Sequence, residues 1–207
     1  MKRKHPTDEY YDRQPPMTFV KNLKEPLHAH APHFSGREAT ENEVSVAGAY
    51  LVPDALPADM YPDTSAEDFR AFLRVCHIDG ERYPVRLLPC VTEGREVFSV
   101  TVTEEECVIR AADADGFRRG LVFLEDEITA AEGAFLPRGT TKRKPWLRHR
   151  ITRGYFSPTN RPPKNGDELS DDTDYYPDEY LNRLMHDGTN GLWIYSSFRQ
   201  LVPSSFI

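Results

Sequence analysis

Three groups of side chains in this sequence have the types and spacing for chemistry. The first is acidic. Glu104-Glu105-Glu106 and Asp171-Asp172 are the adjacent carboxyls that general acid–base work would draw on. Nothing around them predicts the burial that raises a carboxyl pKa, so both groups read as solvated charge and no catalytic residue is assigned. The second is His28, His30 and His33, in the run His-Ala-His-Ala-Pro-His. Alternating histidines on a strand could ligate a metal. No Cys, Asp or Glu stands at the spacing that would complete such a site, so the run reads as a solvated arm and no metal is assigned. The third is Cys76, Cys90 and Cys107. An odd number without CxxC spacing argues against a disulfide framework or a zinc site, and each lies in an apolar segment that suits a small buried hydrophobe. No GxSxG, P-loop or GxGxxG pattern is present, and no cofactor is implied.

Charge narrows the partners. The formal net charge of −7 argues against general affinity for nucleic acid, which needs net or clustered positive charge. One basic run does exist: Arg138, Lys142, Arg143, Lys144, Arg148, Arg150 and Arg153, with no acid among them. An acidic run follows, with Asp167, Glu168, Asp171, Asp172, Asp174, Asp178 and Glu179 and no base. The two read as complementary surfaces or as solvated loops, not as a nucleic-acid site. No apolar run approaches the roughly 18 residues of a membrane span, so no membrane partner is expected. The basic start, Met-Lys-Arg-Lys-His-Pro, is followed by polar residues and not by an apolar signal core. The expected location is cytoplasmic.

These groups must be positioned by elements whose signals vary along the chain. Hydrophobic content of 39% together with 17 prolines predicts a folded middle with loop-rich ends. Residues 1–42 show no period and read as an extended or disordered arm. Residues 43–140 read as an α+β domain. Within it, Val44–Val52 is expected to be a strand. Ser65 is expected to cap a helix whose apolar face is Phe69, Phe72, Leu73 and Cys76. Tyr83–Val91, Arg95–Thr103 and Glu106–Ala111 read as strands, the second with Phe98, Val100 and Val102 on one face. A further helix follows Asp115-Gly116, with Phe117, Leu121, Leu124 and Ile128 forming one stripe. The expected architecture is an antiparallel sheet with two helices on one face. Residues 141–150 read as a basic linker.

Residues 151–207 form a strand–helix–strand pattern. Ile151–Phe156 is the first strand. A helix runs from Pro177, expected at its first position, to about Asp187, with Gly188 as its left-handed cap. Tyr180, Leu181, Leu184 and Met185 form its apolar face. Gly191–Tyr195 is the second strand. This is one βαβ unit, the start of an incomplete TIM barrel, since a full barrel needs about 250 residues.

The ordered set of pieces resembles the N-terminal part of family 20 glycoside hydrolases, the β-N-acetylhexosaminidase group. The residues that carry the resemblance are Val108–Phe117, with Asp113-Ala114-Asp115-Gly116 running into Leu121–Leu124, then Arg153-Gly154, then Asn190 before Leu192-Trp193-Ile194. The resemblance implies a small zincin-like α+β accessory domain followed by a (β/α)₈ catalytic barrel. It describes shape only, because no HExxH zinc motif is present. It also implies a carbohydrate substrate, with Arg153 lining the sugar subsite, where a guanidinium fork suits adjacent hydroxyls. Pairing of Arg153 with an acid of the 167–179 loop is the alternative. Trp193 and Tyr195 could stack on a sugar face or be buried strand aromatics. The family's Asp-Glu pair follows a fourth barrel strand, which this sequence does not contain. Where the family continues with an aspartate and a second arginine after Arg-Gly, this chain has Tyr155–Pro163.

Two readings follow. In the first, the chain is the N-terminal portion of a hexosaminidase-like glycoside hydrolase, inactive alone, with self-association expected through the incomplete barrel. In the second, it is a non-catalytic module that binds carbohydrate or protein. The apolar ending Val202–Ile207 favours the first.

Overall fold

The computed structural model describes residues 18–52, 56–154 and 174–194. Asp171, Asp172, Tyr195 and the ending at Val202–Ile207 lie outside the described residues. The chain divides into two compact units: residues 28–148, and residues 1–27 with 149–207.

In the 28–148 unit the central sheet has strands β2 (Ala49–Leu51), β3 (Tyr83–Pro89), β4 (Phe98–Val102), β5 (Cys107–Ala111) and β7 (Gly139–Arg143). Its spatial order is β2-β3-β5-β4-β7. The sheet is mixed, which corrects the antiparallel expectation. β2 pairs with β3 and β3 with β5 in parallel, while β4 pairs antiparallel with β5 and β7. The reason lies in the connections. Helix α2 (Asp63–Val75) joins β2 to β3, and parallel neighbours need such a crossover. β4 and β5 are joined by a tight hairpin, which forces antiparallel pairing.

One face of this sheet is apolar. Tyr83, Val85, Leu87, Phe98, Val100, Val102, Cys107, Ile109 and Ala111 are all buried. Helix α3 (Ala114–Ala130) covers them with Phe117, Leu121, Leu124 and Ile128, and α2 adds Phe69, Phe72 and Leu73. Each fully buried large side chain contributes about 1.5–3 kcal/mol. Burial pushes the Cys76 thiol up to about 11 and the Cys107 thiol up to about 12, so both are weak nucleophiles at neutral pH.

Several boundaries differ from expectation for local reasons. The run Val44–Val52 is two strands, not one. β1 (Glu43–Ser45) pairs antiparallel with β6 (Phe135–Pro137), and β2 joins the central sheet. Gly48, with φ +83° and Arg82 Cβ 3.0 Å from where its own β-carbon would lie, makes the break. Ser65 does not cap α2. The helix starts three residues earlier than that cap implies, after Pro62, with Asp63 in its first turn, and Ser65 is buried. α3 starts at Ala114, capped by the Asp113 carboxylate, which accepts the Gly116 N–H at 2.7 Å. Residues 141–143 of the expected linker belong to the edge strand β7, whose Thr140 and Thr141 favour extended backbone.

Within the expected solvated arm His30 and His33 are exposed, while His28 is not. His28 is largely buried, 3.2 Å from the Glu125 carboxylate of α3 and with its ring 5.2 Å from that of Phe72. Arg37 donates to both oxygens of Glu43 at 2.7 and 2.8 Å and to the Ala131 carbonyl at 2.9 Å. The guanidinium and the Thr40 N–H hold the Glu43 carboxyl down at about 2. Apolar contact and a terminal helix carbonyl thus order a segment with no periodic pattern.

The second unit contains helix α1 (Thr18–Leu23), strand β8 (Ile151–Arg153), helix α4 (Asp178–His186) and strand β9 (Gly191–Trp193). β8 and β9 pair in parallel, Ile151 beside Gly191 and Arg153 beside Trp193. This is the expected strand–helix–strand order. Pro177 stands at the N-cap with extended backbone, one residue before its expected place. Gly188 has φ +95°, and Thr189 N–H returns to the Leu184 carbonyl at 2.9 Å, the Schellman closure that glycine permits. No residue of α4 is buried, so its expected apolar face is only partly covered.

Arg183 of α4 ties down the end of α1. Its guanidinium donates to the carbonyls of Asn22 at 2.8 Å, Leu23 at 3.1 Å and Glu25. A cation there completes the unpaired carbonyls and complements the helix dipole. Arg183→Ala is therefore expected to free this segment. Limited trypsin digestion should cut after Lys21 and Lys24 at least about five-fold faster than in the unaltered protein, since losing about 1 kcal/mol of local stability raises the open population by that factor. Unchanged cleavage rates would show that the segment is held by other contacts.

Candidate functional site

The site is built at the C-terminal ends of two adjacent parallel strands. Alternate residues of a strand share a face, so Ile151 and Arg153 of β8 lie on the same face as Gly191 and Trp193 of β9. Gly191 leaves room there, since a β-carbon on it would stand 3.1 Å from Ile151 Cγ1. Asn190 sets the register. Its side-chain carbonyl accepts the Arg150 N–H at 2.8 Å, and its own N–H donates to the Arg150 carbonyl at 3.0 Å. Arg150 is further engaged through Nε to the Gly188 carbonyl at 2.5 Å.

With the register set, the Arg153 guanidinium carbon lies 5.4 Å from the centroid of the Trp193 ring, within cation–π range. Arg153 is exposed and Trp193 is 54% exposed. Among the described residues Arg153 makes no hydrogen bond or ion pair, and a guanidinium carries five N–H donors. Ile151, 59% exposed, adds apolar surface on the same face.

Gly154 follows Arg153 and extends the pairing, its N–H donating to the Trp193 carbonyl at 2.9 Å. It is buried, and a β-carbon there would collide with the Tyr176 hydroxyl. Tyr176 is positioned by its own N–H, which donates to Asp174 Oδ1 at 2.9 Å. The Arg153-Gly154 pair thus has a packing reason: the glycine admits a tyrosine beside the exposed arginine. Sequence reasoning did not single out Tyr176. The available signal was the aromatic pair Tyr175-Tyr176 just before the helix-starting Pro177.

Of the residues read as a site from sequence, Arg153 and Trp193 are brought together, and Tyr195 lies outside the described residues. Of the acidic groups, Asp171 and Asp172 lie outside the described residues. Glu104 pairs with Arg138, and Glu106 with Arg86 at 2.9 Å. Among the described residues no three His, Cys, Asp or Glu side chains lie together as a metal site would require. No helix among the described residues is long and apolar enough to cross a membrane.

Comparison with known proteins places this geometry in a fold. No protein-family model matches the chain, and no curated protein matches it. Solved structures do. A family 138 glycoside hydrolase targeting pectin rhamnogalacturonan II is similar with a TM-score of 0.53 at 14% identity, over 71% of this chain and 18% of that one. A family 115 4-O-methyl-α-glucuronidase with specificity for decorated arabinogalactans gives 0.49 at 12% identity, over 73% of this chain and 25% of that one. A family 20 exo-β-N-acetylglucosaminidase from Vibrio harveyi, in complex with N-acetylglucosamine, gives 0.44 at 16% identity, over 75% and 23%. The chain has a glycoside-hydrolase-like, mixed α+β fold. It spans only about a fifth to a quarter of the length of these enzymes.

Proposed function

We propose that this chain is the N-terminal portion of a carbohydrate-active glycoside hydrolase of the hexosaminidase-like kind. Residues 43–140 are its accessory domain, and residues 151–207 are the opening βαβ unit of its (β/α)₈ barrel. The single observation that supports this best is the Arg153 guanidinium over the half-exposed Trp193 ring at the C-terminal ends of two parallel strands. Barrel enzymes build their substrate sites at that end. An aromatic face and a fork of donors are the two groups a sugar ring requires, one for its C–H face and one for its hydroxyls. Tyr195, two residues beyond Trp193, is a further stacking group in this reading.

The chain's role is binding. Hydrolysis uses two carboxyl groups flanking the bond, one of them protonated, and Glu104 and Glu106 are occupied by arginines. This chain is therefore expected to hold a sugar without cleaving an aryl glycoside.

The test uses Trp146→Phe as background, leaving Trp193 as the one tryptophan. Its fluorescence is followed against methyl glycosides of glucose, N-acetylglucosamine and glucuronic acid. Binding of at least one is expected, weakened about ten-fold or more by Arg153→Ala (about 1.4 kcal/mol), with Trp193→Ala equally weakened by calorimetry. Failure of every sugar to bind, or binding indifferent to both substitutions, rejects the proposal.

A further inference from the structure

We infer that the sugar taken by the Arg153–Trp193 pair is an acidic one, its carboxylate held by the Arg153 guanidinium. The inference rests on the sugar-binding reading and narrows it to a uronic acid.

Among the described residues the charge of Arg153 is left uncompensated. Arginine keeps its charge at every physiological pH. The other described arginines of the same unit are committed: Arg150 to the Gly188 carbonyl, and Arg183 to the carbonyls at the end of α1. Among the described residues Arg153 alone of the three has neither a carbonyl nor a carboxylate partner, although it stands next to a large aromatic ring. The described acids of the unit do not neutralise it. Asp174 accepts a backbone N–H from Tyr176, while Asp178 and Glu179 lie in the first turn of α4, where the helix dipole favours them. None forms an ion pair with Arg153.

Two properties of the pair favour a carboxylate over a hydroxyl pair. The guanidinium fork matches the two oxygens of a carboxylate, and hydrogen bonds assisted by charge are roughly twice as strong as neutral ones. The Trp193 ring lies beside the cation, 5.4 Å from the guanidinium carbon, and its electron-rich face favours a cation there. The same ring supplies the stacking face. A uronate presents both complements at once: an apolar ring face and, at C6, an anionic planar group.

The experiment compares methyl β-glucuronide with methyl β-glucoside, which differ only in having a carboxylate or a hydroxymethyl group at C6. The full chain carrying Trp146→Phe is titrated with each, at low salt and again with added sodium chloride. The glucuronide is expected to bind about ten-fold more tightly. Half-molar salt should remove most of that advantage by screening and leave the glucoside unchanged. Arg153→Gln, which retains donors but not charge, should bring the two sugars to the same affinity. Arg153→Lys, which retains charge without the fork, should retain part of the preference. Equal affinity for both sugars, each weakened by Trp193→Ala, would overturn the acidic-sugar inference and leave the sugar site standing. Binding of neither sugar would overturn both.

Discussion

Gly120→Ala is expected to destabilise the 28–148 unit by about 2 kcal/mol, against the direction that helix propensity alone predicts. Alanine is the better helix former by about 1 kcal/mol, and Gly120 lies in the interior of the long helix α3. Yet a β-carbon at this position would overlap the Ile109 Cγ2 methyl of β5. Ile109 is fully buried and β-branched, so it has one comfortable rotamer and nowhere to retreat. One turn earlier, a β-carbon on Gly116 would stand 2.7 Å from Ala111 Cβ and 2.9 Å from the Val97 carbonyl. The two glycines let α3 lie directly on the strand, and overpacking there costs about 1–3 kcal/mol, which at its upper end exceeds the propensity gain by about 2 kcal/mol. Urea unfolding measures the effect. The cause is isolated by a double-mutant cycle with Ile109→Ala, which removes the opposing methyl. A favourable coupling above about 1 kcal/mol is expected for groups in direct contact. Additive losses would mean that the clash is relieved by movement of the whole helix.

That contact shows which parts of the fold could be read in the sequence. The stripe Phe117, Leu121, Leu124 and Ile128 was legible because its period is helical, and all four are buried. The alternation in β4 was legible for the same kind of reason: Phe98, Val100 and Val102 are buried while Ser99 and Thr101 are only partly so. Strand direction was harder, because it is set by connections. A helix between β2 and β3 announces a parallel crossover, but β2 is only three residues long and was hidden in a longer apolar run broken at Gly48. The seats of His28 and Arg37 in the arm were hidden because their contacts are distant. His28 meets Glu125 and Phe72, and Arg37 meets Ala131; no local pattern encodes partners so far along the chain.

The site shows the same division. Arg153-Gly154 stood out through the resemblance to family 20 glycoside hydrolases, and Trp193 as an aromatic of the second strand. What the sequence could not give is their pairing, which depends on register, or the seat of Tyr176 against Gly154, which crosses the segment between the first strand and its helix. Strand β8 could slip by one residue only by losing the two-way clamp of Asn190 on Arg150. A slip would move Arg153 to the opposite face from Trp193. The asparagine before the second strand is thus the link between a sequence feature and the geometry of the cation over the ring.

Asp113→Ala is expected to be about as damaging as any surface-accessible substitution in the chain, near 3 kcal/mol. Asp113 caps α3 by accepting the Gly116 N–H at 2.7 Å, and loss of such a cap costs about 0.5–2 kcal/mol. The same carboxylate accepts the Glu96 N–H at 3.2 Å. Glu96 is 7% exposed and has φ +59°, a left-handed conformation that strains any residue with a β-carbon. Its carboxylate lies 3.3 Å from Arg119 of α3. The strained residue therefore enters β4 held by α3 at both ends, by Asp113 at its backbone and Arg119 at its side chain. Without Asp113, a nearly buried N–H loses its acceptor, which costs about 1–3 kcal/mol. Asp113→Asn retains an acceptor oxygen and is expected to lose less than about 1 kcal/mol. Urea unfolding gives the magnitudes, and amide exchange at Glu96 and Gly116 locates them. Both amides should exchange faster in Asp113→Ala before the core of the unit opens. Faster exchange at Gly116 alone would confine Asp113 to the helix cap and leave the turn at Glu96 supported by Arg119.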